Sequence, residues 1–171
     1  MASAARRLLS GWLLLGWLAA WNACAAEDFP PSAPLFSAAF ADLEDRPATL
    51  EHFRGQALVV NFWARWCGPC REEIPEFVKA RQRFHGVEVV GIALDDKAVA
   101  VREFASAYGI DYPVFLAKDK GIELIQALGN NKAGLPFTLV VDRQGKVIYT
   151  KLGVMKPADM DAAFKLASQA H

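Results

Sequence analysis

The chain has 171 residues, 53% of them apolar and 22% charged, with nineteen Lys and Arg balancing nineteen Asp and Glu. That balance disfavours a disordered tail, a polyelectrolyte and a nucleic-acid binder held by bulk charge, and the length suits one domain of common size. Three cysteines, Cys24, Cys67 and Cys70, are too few for a disulfide-rich scaffold.

Arg6-Arg7 precedes a charge-free, leucine-rich stretch from Leu8 to Ala26, which reads as an export signal. Ala23-Cys24-Ala25 has the small-x-small pattern of a cleavage site, so residues 1–25 are expected to form a signal peptide. The same stretch is long enough to serve as an uncleaved membrane anchor. Lipid attachment at Cys24 is disfavoured, because Trp21 and Asn22 stand where a lipoprotein signal has Leu and a small residue. Each reading delivers the domain outside the cytoplasm, where disulfides persist.

Residues 26–45, with Pro30, Pro31 and Pro34, show no sustained period and read as a linker and N-terminal extension leading to an irregular first strand. The domain is expected over 46–171. Ala57 to Trp63 is a continuous apolar run that predicts a central strand covered on both faces, and Val87 to Leu94 predicts another. Between them Ile74, Phe77, Val78 and Phe84 recur at helical spacing, and Pro75 is expected to kink that helix. Val101, Phe104, Ala105 and Tyr108 form a second helical stripe, and Leu124, Ala127 and Leu128 a third, with a short strand near Val114–Leu116 between these two. Phe137–Val141 and Val147–Tyr149 flank Asp142-Arg-Gln-Gly145 as a hairpin, and a helix opened by Pro157 closes the chain. This order implies an α/β sandwich with a mixed sheet.

The chemistry concentrates at Trp66-Cys67-Gly68-Pro69-Cys70, where the central strand passes into the first long helix. A cysteine at a helix N-terminus faces unpaired N–H groups and the positive end of the dipole, which favours thiolate and makes Cys67 the expected nucleophile. Cys70, one turn on, is expected to be more buried and to resolve the mixed disulfide. Pro69 suits the first turn, where a missing N–H removes no helical bond. A zinc site is disfavoured, since no second CxxC exists and His52, His85 and His171 are isolated. A permanent structural disulfide is disfavoured because so short a loop constrains little of the unfolded chain.

Through these residues the sequence resembles the thioredoxin superfamily and, within it, the exported TlpA/ResA-like thiol-disulfide reductases. The resemblance runs from about Pro34 to Ala170. It is carried by Val60-Asn-Phe-Trp-Ala-Arg-Trp-Cys-Gly-Pro-Cys70, by Pro75 and by Gly134-Leu-Pro-Phe-Thr-Leu-Val-Val-Asp142. It implies a thioredoxin-like three-layer sandwich, a central mixed sheet flanked by helices, with the segment Val99 to Leu116 as the helix-strand insert of this branch.

By position, the resemblance makes Leu135-Pro136 the cis peptide that lies against the CxxC, with the Leu135 backbone available to an extended client segment. It implies that Trp66, Gly68 and Pro69 contact partners, whereas Trp63 belongs to the core. Asn61 stands where minimal thioredoxin has a buried acid, and Glu73, three residues after Cys70 on one helix face, is the implied substitute proton acceptor. Glu72 and Glu76 lie close by, so a solvated acidic face is the competing reading. Val60 and Ala64 stand where a peroxiredoxin needs Pro and Thr. Gly68-Pro69 resembles the dipeptide of thioredoxin, with a potential of about −270 mV, and lacks the His usual in DsbA, at about −120 mV.

These features imply an exported, periplasmic reductase of client-protein disulfides, soluble or anchored, monomeric, with no metal or organic cofactor and no nucleic-acid partner. Resemblance further implies a membrane electron donor of the DsbD/CcdA type, and apocytochrome c or respiratory copper-site proteins as clients. A thiol oxidase or isomerase, and a redox-inert client-binding module, remain the alternatives.

Overall fold

A computed structural model describes residues 29–95 and 97–170; the expected signal or anchor, with Cys24, lies outside them. The order is α1 (Ala33–Ser37), β1 (Phe40–Ala41), β2 (Pro47–Ala48), β3 (Ala57–Trp63), α2 (Gly68–Arg83), β4 (Val87–Ala93), α3 (Ala98–Ala107), β5 (Val114–Leu116), α4 (Gly121–Ala127), β6 (Phe137–Val141), β7 (Val147–Leu152) and α5 (Pro157–Gln169). The seven strands form one sheet in the order β2-β1-β5-β4-β3-β6-β7.

β3 holds the centre because every one of its residues is buried, so it needs cover on both faces. It pairs in parallel with β4 and antiparallel with β6, which makes the sheet mixed, as the element order implies. Alternation along β3 sends Ala57, Val59 and Trp63 into a core shared with Ile74 and Phe77 of α2, Val101 of α3 and Phe164 of α5. Leu58, Val60 and Phe62 enter a second core with Leu35 and Phe36 of α1 and Leu124 and Ile125 of α4. The layers are therefore helices, sheet, helices. The segment α3–β5 extends the sheet beyond β4, with β5 parallel to it.

Two local expectations change. Residues 33–41, expected within a linker, form α1 and β1 and belong to the fold: Leu35, Phe36 and Phe40 are buried, β1 pairs with β5, and the Ser32 hydroxyl donates to the Gly145 carbonyl. Pro34 sits in the first turn of α1, so the prolines that erase the helical period also allow this short helix to start. β7 runs three residues past Tyr149, to Leu152, because it keeps pairing with β6 as far as Phe137. The helix α2 continues through Pro75 to Arg83.

Candidate active site at the start of α2

Cys67 is the N-cap of α2 in extended conformation, and its sulfur accepts a hydrogen bond from the Cys70 N–H at 3.2 Å. Gly68 and Pro69 fill the first turn, and Cys67 and Cys70 form a disulfide. The redox group is thus built from the chain itself. Cys67 keeps 5% exposure against 0% for Cys70, the order expected of an attacking and a resolving sulfur. A thiolate on Cys67 would face the same Cys70 N–H and the positive helix end, both of which stabilise negative charge. Among the described residues, no group of three or more His, Cys, Asp or Glu side chains is placed to hold a metal ion.

The loop before Cys67 is fixed by a contact that sequence reasoning missed. Asp95, buried just after β4, accepts from the Arg65 N–H at 2.9 Å and ion-pairs with the Arg65 guanidinium at 3.1 Å. No sequence pattern links these residues; β3 and β4 are parallel neighbours, so their C-terminal ends emerge side by side. Trp66, next to Arg65, is 68% exposed and rims an open groove of about 500 Å³ together with Lys97 and Lys118.

Just before β6, whose Phe137 pairs with Phe62 near the end of β3 that leads to the disulfide, the Leu135–Pro136 peptide is cis, as the resemblance implies. Leu135 is half-buried against the core cluster that contains Cys67 and Cys70, and Pro136 is buried. The Pro136 carbonyl accepts from the Gly153 N–H at 2.8 Å, which ties this loop to the end of β7. A Cβ at Gly134 would approach the Leu152 side chain to 3.0 Å, so the two segments pack closely here.

Behind Cys70 lies a buried polar cluster. Glu73 is only 1% exposed, which removes the reading of a solvated acidic face for this residue. Glu72 is exposed and Glu76 pairs with Lys79. Helical phase selects Glu73, because it shares the buried face of α2 with Cys70, Ile74 and Phe77. Its Oε1 accepts from Asn61 Nδ2 at 2.7 Å, and its Oε2 accepts from the Met155 N–H at 2.7 Å. The remaining Asn61 Nδ2 proton goes to Thr138 Oγ1 at 3.0 Å. Desolvation pushes the carboxyl up to about 7 despite the two donors, which oppose the shift. Tyr112 is also buried nearby; burial and the Glu73 charge both push its phenol up. Tyr112 and the Trp63 indole N–H meet over Gly91, where a Cβ would come within 3.1 Å and 2.9 Å of them.

Comparison with known proteins agrees with this geometry. The Redoxin family model matches residues 30–164. The thiol-disulfide oxidoreductase ResA of Bacillus thuringiensis (strain Al Hakam) is 31% identical over 126 residues, covering 72% of this chain and 70% of that protein. A thioredoxin-family thiol:disulfide interchange protein from Chlorobium tepidum TLS superposes with a TM-score of 0.66 at 33% identity, over 84% of this chain and 99% of that one. A thioredoxin-related protein from Neisseria meningitidis serogroup B gives 0.65 at 31% identity, over 75% and 97%. A disulfide capping a buried-strand-to-helix turn, a cis proline opening the strand beside it and these matches over most of the chain lead to one assignment: the chain belongs to the Redoxin family of the thioredoxin superfamily, among the TlpA/ResA-like thiol-disulfide oxidoreductases that act on protein disulfides.

Proposed function

We propose that the protein works as an exported reductase of disulfides in client proteins, with Cys67 attacking and Cys70 resolving. The observation that carries this reading is the pairing of a helix-capping sulfur with a wholly buried one that has an acid on its own helix face. In the reduced protein the Cys67 thiolate attacks one client sulfur and the other leaves as a thiolate. Glu73 takes the proton of the Cys70 thiol, and the Cys70 sulfur then attacks the Cys67 sulfur and displaces the client sulfur bonded to it. Two electrons reach the client, which departs as a dithiol, and the Cys67–Cys70 disulfide closes. A carboxyl poised at about 7 can exchange this proton at neutral pH.

Trp66 offers an exposed apolar face on one side of the disulfide, and Leu135-Pro136 offers backbone for an extended client segment on the other. Gly68 and Pro69 contact the client between them. Gly68-Pro69, without His, supports a reducing direction. Arg6-Arg7 and the apolar stretch after it support delivery to the periplasm, with the domain released as a soluble monomer or held at the membrane. A reductase in an oxidising compartment must be recharged, so a membrane electron donor of the DsbD/CcdA type is part of this reading, as are apocytochrome c or copper-site clients.

Single-cysteine variants test it. Cys70→Ser mixed with a disulfide-containing client accumulates a covalent complex through Cys67, and Cys67→Ser forms none and turns over nothing. Catalytic turnover by Cys67→Ser would overturn the assignment of roles.

A further inference from the structure

The two oxygens of Glu73 have unlike partners. Oε2 accepts from the Met155 backbone N–H, a group that can only donate. Oε1 accepts from Asn61, a carboxamide with a donor end and an acceptor end, and the same Nδ2 also donates to Thr138, whose hydroxyl can act either way. Asn61 Oδ1, at the other end of the amide, is buried with no hydrogen-bond partner among the described residues. A half-turn about Cβ–Cγ therefore breaks nothing at that end. It brings Oδ1 to where Nδ2 was, able to accept from a protonated Glu73 Oε1 and from the Thr138 hydroxyl together.

We infer that Asn61 is a positioning residue that lets Glu73 hold or release a proton in place, presenting Nδ2 to the carboxylate and Oδ1 to the acid while the Thr138 hydroxyl reverses from acceptor to donor. The inference rests on the reading of Glu73 as proton acceptor for Cys70. The proton lands on Oε1, because the partner of Oε2 cannot accept. It comes from Cys70 Sγ–H and stays on Oε1 while the Cys70 thiolate breaks the bond between Cys67 and the client; no electron passes through Glu73 or Asn61. An aspartate at position 61 could only accept, and would set a second negative charge against Glu73; a leucine could do neither.

The other groups around Glu73 do not replace this device. Tyr112, in the segment before β5, has its phenol pushed up by burial and by the Glu73 charge and so stays neutral, but its hydroxyl makes no hydrogen bond to Glu73 or to any other described residue. Asp111 pairs with Arg81 at the surface. Met155 contributes its amide from the turn before α5, and α2 contributes Cys67 and Cys70.

The test is nuclear magnetic resonance on the oxidised full-length protein, with labelled Asn side chains and Glu carboxyls, from pH 5 to pH 9. The Glu73 carboxyl carbon reports protonation, and contacts between the Asn61 amide protons and the Thr138 methyl report orientation. Those contacts are expected above the Glu73 midpoint and lost below it. Contacts that persist through the titration would overturn the inference while leaving Glu73 its role; a Glu73 carboxyl that does not titrate in this range would overturn both. In Asn61→Leu, the pH midpoint for resolution of the mixed disulfide is expected to rise by about one pH unit, since the charge-assisted bond lost by the carboxylate is stronger than the neutral bond lost by the acid. A less stable Asn61→Leu protein with an unchanged midpoint would reduce Asn61 to packing and overturn the inference.

Discussion

The two faces of β3 carry cores of different kinds. Toward α1 and α4, Leu58, Val60 and Phe62 meet hydrocarbon: Leu35, Phe36, Leu50, Leu124 and Leu139. Toward α2 and α5, an otherwise apolar core is interrupted by Asn61, Glu73 and Thr138, with Asn61 donating to both of the others and Glu73 on the same buried helix face as Cys70. Burying a polar group without partners is unfavourable, and burying an ionisable one more so. The first face therefore serves stability, and the second accepts a less stable arrangement that keeps a buried acid on the helix face of Cys70, where the proposed mechanism needs a proton acceptor.

The sharpest way to break this division is to remove the acid while keeping its shape. Glu73→Gln should slow resolution of the mixed disulfide at neutral pH by about 100-fold or more and flatten its pH dependence around 7. Rapid mixing of the Cys67-linked client adduct measures this. On the opposite face, Leu58→Ala should destabilise the domain by about 2–5 kcal/mol in denaturant titrations, through lost burial and an unfilled cavity. The redox potential of the molecules that remain folded should be unchanged.

The same acid links stability to pH. Its folded value of about 7 lies above the ordinary 4.5, so the folded state holds this proton more tightly than the unfolded chain does. Its contribution is fully present below about pH 4.5 and lost as the pH rises through 7, on the order of 3 kcal/mol in all. Glu73→Gln should remove that slope from stability measured between pH 4.5 and 8. The smallest effect is expected at Trp66, which is exposed. Trp66→Ala should change stability by less than about 0.5 kcal/mol. It should raise KM for a protein client while leaving reduction by dithiothreitol unaffected.

Sequence made the central strand and the helix-capping CxxC legible, because each rests on a local signal, an unbroken apolar run and a strand-to-helix junction; the cis proline followed only from the resemblance carried by Gly134-Leu-Pro-Phe. The choice of Glu73 over Glu72 and Glu76 was also within reach, since helical phase puts Glu73 in line with Cys70 and Phe77. The groups from distant segments that complete the cluster around that acid were not. Thr138 and Met155 lie 65 and 82 residues from Glu73 in the chain, brought in by β6 and by the turn before α5. Asp95 likewise reaches Arg65 only through the pairing of β3 with β4. Residues 33–41 escaped notice for a different reason: a five-residue helix and a two-residue strand are too short to show a period, and their prolines resemble those of a linker.

The most direct test of the reductase reading is the equilibrium potential of the Cys67/Cys70 couple, titrated against glutathione and dithiothreitol with free thiols trapped. A value near or below about −230 mV is predicted, which places the protein with reductants. A value between about −180 and −120 mV would make it an isomerase or oxidant and contradict the direction inferred from Gly68-Pro69.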